Sequence, residues 1–169
     1  MKKNLVLLGM MAAGKTTLAK IVAKKLDLNF VDTDETIIKK NSMSIIEIFK
    51  KKGESYFRKE EEKEVLKAVK KIDSIISIGG GAFLNKNIRD NILQNAISIW
   101  INVDIDTLQN RIKKNSKRPL LRVENYKEKL KELYLERKKI YELADYKIDC
   151  SNLSKEILAK KIIKLYLNE

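Results

Sequence analysis

Between Asn4 and Lys20 the chain reads NLVLLGMMAAGKTTLAK, and no other stretch constrains the fold as strongly. Leu5-Val6-Leu7-Leu8 is a continuous apolar run, which suits a strand buried on both faces of a parallel sheet. Gly9 to Thr16 then matches in full the phosphate-loop pattern G-x-x-x-x-G-K-[ST]. Leu18, Ile21, Val22 and Leu26 follow at helical spacing. In a strand–turn–helix of this kind, backbone N–H groups and a helix N-terminus converge on phosphate oxygens. Lys15 is placed to reach the β- and γ-phosphates, and the Thr16 hydroxyl to ligate Mg²⁺. The stretch predicts a nucleoside triphosphate site.

The basic start Met1-Lys2-Lys3, the apolar run and Ala12-Ala13 imitate a secretory signal. Cleavage there would destroy the phosphate loop, and the sequence holds no apolar run of 18 residues, so a cytoplasmic chain is expected. At 169 residues a single domain spanning 1–169 is expected. The lone Cys150 excludes a disulfide framework and fits a reducing compartment. The absence of histidine rules out histidine bases, nucleophiles and metal ligands. The net charge of +13 invites a nucleic-acid reading, but only six of the 36 basic residues are arginines and the lysines scatter along nearly every segment. With few aromatics beside them, no stacking platform for bases is evident, and most of the charge reads as solvated surface.

Apolar strand-like runs at Leu5–Leu8, Asn29–Val31, Ser74–Ile78, Ile97–Val103 and Tyr146–Ile148 alternate with helical patterns. That alternation predicts βαβ crossovers and a five-stranded parallel sheet covered by helices on both faces. Ligands of such sheets bind beyond the carboxyl ends of the strands, so the segments just after each run carry the information.

Asp32 and Asp34 follow the second run. Beside a phosphate loop, one carboxylate can help hold hydrated Mg²⁺ and the other accept a proton from a nucleophile. The structural alternative is a helix N-cap supplied by Asp34. Lys52 to Glu61 begins a long charged helix in which Arg58 and Glu61 share a face, so that Glu61 could fix the guanidinium in position, although spacing alone favours an exposed ion pair there. Gly79, Gly80 and Gly81 follow the third run directly, a pattern that admits a ligand close to the backbone. After the fourth run a helix from Asp104 carries Leu108 and Ile112, with Arg111 near its end. The polar, basic segment that follows, about 113–124, holds the only proline and reads as a mobile lid. Tyr126, Leu130, Leu133, Tyr134 and Tyr141 then form one helical stripe, and Arg137 falls inside it. An inward arginine must meet either an internal carboxylate or a bound acidic ligand, because an unpaired buried charge is very costly. Ile148 to Asn152 ends the fifth run, where Asn152 could line an adenine pocket, and Leu158, Ile162 and Leu165 mark a closing helix.

Taken in order, these segments resemble the shikimate kinases, within the nucleoside-monophosphate-kinase-like P-loop fold. The resemblance rests on GMMAAGKT at Gly9–Thr16, DTD at Asp32–Asp34, GESYFRKEE at Gly53–Glu61, GGGA at Gly79–Ala82, RPLL at Arg118–Leu121 and ERKKIY at Glu136–Tyr141. It implies a three-layer α/β/α P-loop NTPase fold with a substrate-binding segment at about 33–61 and a lid at about 113–124. It also implies ATP-dependent phosphorylation of the 3-hydroxyl of shikimate by a monomer that needs Mg²⁺. By the same resemblance, Ala12, Ala13, Gly14, Lys15, Thr16 and Thr17 surround the nucleotide, with Asp32 joining Thr16 at the metal. Asp34 and the backbone of Gly79–Gly81 take the substrate hydroxyls, with Asp34 positioning or deprotonating the nucleophile. Arg58 and Arg137 clamp the substrate carboxylate, Arg118 descends on the phosphates, and Arg111 flanks the adenine. The family usually has glycine where Ala12 stands, so a stiffened or shifted phosphate loop is expected, and it often has proline where Lys139 stands. The competing expectations are a related gluconate or nucleoside-monophosphate kinase and a nucleic-acid-binding ATPase.

Overall fold

The computed structural model describes residues 3–113, 125–150 and 153–169. Strands β1 (Asn4–Leu8), β2 (Asn29–Asp32), β3 (Ser74–Ser77), β4 (Ala96–Asn102) and β5 (Tyr146–Asp149) form one sheet in the order β2-β3-β1-β4-β5. Every neighbouring pair is parallel. Each strand boundary falls within one residue of the apolar runs, because strands covered on both faces must be apolar throughout. β1 shows this most fully: Leu5, Val6, Leu7 and Leu8 have no solvent exposure at all, and side chains of this kind contribute about 1.5–3 kcal/mol each when buried.

Helices α1 (Lys15–Leu26), α2 (Thr33–Asn41), α3 (Ile45–Val69), α4 (Lys86–Asn95), α5 (Ile105–Lys113), α6 (Tyr126–Tyr141) and α7 (Lys155–Leu167) connect and follow the strands. The chain leaves β1 toward one edge for β2, returns through β3, and passes to the other side of β1 for β4 and β5. Right-handed crossovers therefore place α1 on one face of the sheet and α3 and α4 on the other, and α7 packs against α1. The reversal of strand order falls beside β1, the place where open α/β sheets bind ligands. No helix among the described residues is long and apolar enough to cross a membrane.

A second, smaller apolar cluster lies outside this core. Ile37, Ile48 and Phe57 are buried together, with Met43, Ile45, Phe49 and Tyr56 packed around them. It joins α2 to the first part of α3, which starts seven residues before the expected charged helix. Ser44 caps that first arm reciprocally with Glu47, a capping box readable in the sequence as S-I-I-E. Gly53 breaks α3 into two arms, with φ 84° and ψ 165° inside an otherwise helical run. Only glycine adopts that conformation at low cost. A Cβ at Gly53 would meet nothing within 4 Å, so the requirement is one of backbone conformation rather than space. Gly53→Ala is accordingly expected to destabilise the protein by about 1–3 kcal/mol, read as a lower denaturation midpoint. An unchanged midpoint would show that the bend is set by something other than the glycine.

Candidate active site

The phosphate loop joins β1 to α1. Lys15 is buried at the start of α1, and its Nζ donates to the carbonyls of Gly9 and Met10, 2.9 Å in each case. Ala13 is buried, Ala12 and Gly14 are half-buried, and Thr17 is exposed on the first helical turn. Ala12 has φ +60°, in the left-handed region. An L-residue pays about 1–2 kcal/mol for that conformation, so the missing glycine acts through backbone strain. Arg111, at the end of α5, reaches the same loop, and its Nη1 donates to the carbonyls of Ala12 and Ala13 at 3.1 Å each. Arg118, Asn152 and, apart from Lys113 at the end of α5, the expected lid lie outside the described residues.

At the foot of the loop Thr16 Oγ1 donates to Asp32 Oδ2 at 2.7 Å and stands 3.4 Å from Ser77 Oγ. The three come from α1 and from the ends of the neighbouring strands β2 and β3. Asp32 Oδ1 also accepts the Glu35 N–H and caps α2. The N-cap expected as the alternative role of Asp34 thus falls to Asp32, because β2 runs one residue further than its apolar stretch and the helix starts at Thr33. A hydroxyl and a carboxylate are suitable oxygen donors for Mg²⁺, which binds few protein groups and keeps water and phosphate oxygens as its other ligands. Among the described residues no group of three histidine, cysteine, aspartate or glutamate side chains could cage a metal by itself.

Gly79, Gly80 and Gly81 leave the end of β3 beside the phosphate loop, and each makes room for a different neighbour. A Cβ on Gly79 would stand 2.5 Å from Glu61 Oε1 and 2.8 Å from Asp34 Oδ1. One on Gly80 would stand 3.2 Å from the Met11 nitrogen and 3.3 Å from Arg137 Nη1, and one on Gly81 2.6 Å from Arg58 Nη1. Three consecutive glycines are needed because two carboxylates, Asp34 and Glu61, and two guanidiniums, Arg58 and Arg137, crowd the same turn of backbone. These groups line one cavity of about 640 Å³ that extends to Thr16 and Asp32. Its opposite wall is apolar, formed by Ile38, Ile45, Ile46, Phe49 and Phe57 from α2 and α3. The volume is that of a small-molecule site.

The two arginines differ in environment. Arg58 is about a third exposed and pairs with Glu61 at 2.7 Å and Glu54 at 3.0 Å. Its pair with Glu61 lies at the cavity wall rather than on the open surface expected from spacing, because Glu61 is only 2% exposed. Arg137 is 3% exposed, forms no ion pair among the described residues, and has a buried Nε without a hydrogen-bond partner. Burial pushes the Glu61 carboxyl above its ordinary pKa of 4.5, with Arg58 drawing it back and Asp34 adding to the rise. Tyr141, one turn beyond Arg137, donates its hydroxyl proton to the Gly80 carbonyl. The sequence offered Glu61 only as the group that fixes Arg58, and did not place Tyr141 or the apolar wall in the site. Glu61 was signalled by its spacing from Arg58, and the wall by the Ser44–Glu47 box that opens its helix.

Fold and site together define a kinase of the P-loop class. A structure of an APS kinase from Mycobacterium tuberculosis shares that fold, with a TM-score of 0.63 at 11% identity over 99% of this chain and 98% of the other. The similarity is far closer to one branch. The family model for shikimate kinase matches residues 11–166. A shikimate kinase of Caldanaerobacter subterraneus is 41% identical over 98% of this chain and 96% of its own length. One from Thermodesulfovibrio yellowstonii is 42% identical over 97% and 95%. The structure of shikimate kinase from Acinetobacter baumannii in complex with shikimate superposes with a TM-score of 0.95 at 32% identity, covering 99% of this chain and 94% of that one. The chain belongs to the shikimate kinase family.

The raised pKa of Glu61 has a consequence for stability. A carboxyl that binds its proton more tightly when folded favours folding most below 4.5, and that contribution is lost as pH rises through the raised value. Glu61→Gln removes the titration. The stability of the parent relative to Glu61→Gln is expected to fall as pH rises across that window, measured by denaturant unfolding at a series of pH values. A difference that grows with pH would show that the Arg58 contact outweighs burial.

Proposed function

We infer that this chain transfers the γ-phosphoryl group of ATP to the 3-hydroxyl of shikimate. Family membership supports the reaction, and one observation carries the substrate: a buried guanidinium, Arg137, forms no ion pair among the described residues in a cavity that leads to the phosphate loop. A buried cation in that state is costly, and a carboxylate brought by the substrate completes it. Arg58 supplies a second fork from across the cavity, held by Glu61 and Glu54. Arginine suits the task because its planar donors meet both oxygens of a carboxylate.

With the carboxylate fixed, the hydroxyl-bearing side of the ring meets Asp34 and the backbone of Gly79–Gly81. Asp34 accepts the proton of the 3-hydroxyl as its oxygen bonds to the γ-phosphorus and the bond to the β,γ-bridging oxygen breaks. Lys15 exchanges the Gly9 and Met10 carbonyls for phosphate oxygens, so the empty loop keeps its charge satisfied until nucleotide arrives. Ala12, Ala13, Gly14 and Thr17 complete the phosphate cradle, Arg111 flanks the adenine and Arg118 approaches from the 113–124 lid, with Asn152 at the base. Thr16 and Asp32 would hold Mg²⁺, which would supply positive charge against the phosphates. The segment 33–61, with its own small cluster, binds the substrate. The volume of the cavity supports small-molecule substrates rather than nucleic acid, and the monomeric, cytoplasmic state rests on the sequence alone.

An ADP-release assay with shikimate, gluconate and the nucleoside monophosphates tests the substrate. Shikimate is expected to turn over alone, and turnover of gluconate or a nucleotide in its place would overturn the assignment. Arg137→Ala should leave the empty protein as stable as the parent and lower kcat/KM for shikimate by about 2–5 kcal/mol, the loss typical of truncating one side of a desolvated charge pair. A severe drop in melting temperature with unchanged kinetics would instead make Arg137 a structural residue.

A further inference from the structure

Tyr141 ends α6, and its side chain is 1% exposed. A buried phenol without a partner is destabilising, so its hydroxyl must be satisfied. The hydroxyl meets Arg137 of its own helix but finds no acceptor there, because a guanidinium only donates. It donates instead to the carbonyl of Gly80, the middle glycine of the loop after β3, 61 residues away in sequence. With its one proton committed there, the oxygen turns its lone pairs to other neighbours. Arg137 lies four residues earlier on the same helical face, and its positive charge acts on that oxygen. Burial pushes the Tyr141 hydroxyl up to about 12 while Arg137 pulls it back, so it keeps its proton throughout the neutral range. Met10 of the phosphate loop contacts the same hydroxyl through its sulfur at 3.9 Å, and Trp100 of β4 packs against the ring with centroids 5.8 Å apart.

Gly80 is itself pressed between the phosphate loop and Arg137, with a would-be Cβ 3.2 Å from the Met11 nitrogen and 3.3 Å from Arg137 Nη1. The spacing between guanidinium and glycine backbone therefore depends on what holds the two together from behind. Among the described residues the Arg137 guanidinium has no ion pair and an unpartnered Nε, which leaves the Tyr141 oxygen as the contact that ties it to Gly80. We propose that Tyr141 is a positioning residue whose single hydroxyl holds the Arg137 guanidinium and the Gly80 peptide in register for an acidic substrate. This rests on the reading of Arg137 as the substrate-carboxylate clamp. Tyr141 touches no substrate, and its effect passes through these two groups.

Tyr141→Phe deletes the hydroxyl and keeps the ring against Trp100. Steady-state kinetics are expected to show KM for shikimate raised by about tenfold or more, the order expected for losing one hydrogen bond to a charged group. kcat and KM for ATP should stay within about twofold to threefold. Tyr134→Phe on the same helix serves as the comparison, because its hydroxyl donates to Asn102, outside the site, and its removal should leave both KM values unchanged. The proposal is overturned if Tyr141→Phe leaves KM for shikimate unchanged, weakens ATP and shikimate equally, or fails to fold, the last making the hydroxyl a strut of the core. Turnover of shikimate by the parent is read in the same assay. Its absence overturns the substrate reading itself, whereas a normal parent with an unchanged variant overturns only the role of Tyr141.

Discussion

A guanidinium removed from water is among the most expensive states a side chain can occupy, and Arg137 is held there with no ion pair among the described residues. The effective penalty for a desolvated ion in a protein is several kcal/mol. Two groups reduce it without cancelling it, the Tyr141 hydroxyl oxygen and the Glu61 carboxylate. α6 keeps the side chain on an apolar stripe, so it cannot escape the cost by turning outward. The rest of the cavity follows from keeping this charge in place. Gly80 has no side chain because Arg137 and the phosphate loop occupy its flank, and Gly79 and Gly81 have none because Asp34, Glu61 and Arg58 stand against them. On the proposed reading, the substrate supplies the missing anion, and substrate binding draws on energy that the fold has already spent.

The phosphate loop adds a second, smaller strain. Ala12 holds a left-handed conformation at a position where glycine would sit without cost, and Arg111 braces that turn by donating to two successive carbonyls. Lys15 braces it from inside through the carbonyls of Gly9 and Met10. Both cations hold the empty loop in shape, and both point where phosphate and nucleotide are expected to arrive. The loop is thus organised before ligand binds, which lowers the ordering entropy that binding must overcome.

How much of this was legible in the sequence depends on how local each signal is. β1 and the phosphate loop are contiguous and obey a fixed spacing, so both were readable to within a residue. Arg137 was readable because a charge inside an apolar stripe violates helical patterning, although the stripe could not say whether a protein acid or a ligand answers it. Arg58 was ambiguous for a physical reason: an i,i+3 pair looks the same on an open surface and at a cavity wall, and only the packing of the second arm of α3 buries Glu61. The break at Gly53 and the cluster of Ile37, Ile48 and Phe57 arise from tertiary contact between α2 and α3, which no periodicity encodes. The exchange of the capping role from Asp34 to Asp32 turned on one residue of strand length. The target of the Tyr141 hydroxyl, far away in sequence, left no local signal at all.

Completion of the buried Arg137 by a ligand carboxylate can be measured on the unmodified protein without any turnover. Calorimetric titration of the nucleotide-free chain with shikimate, and with its neutral carboxamide, isolates that interaction. If the carboxylate answers the buried guanidinium, the carboxamide should bind at least about thirtyfold more weakly, corresponding to 2 kcal/mol or more, and the gap should persist at raised salt because the pair is shielded from water. Equal affinities for the acid and the amide would contradict the claim.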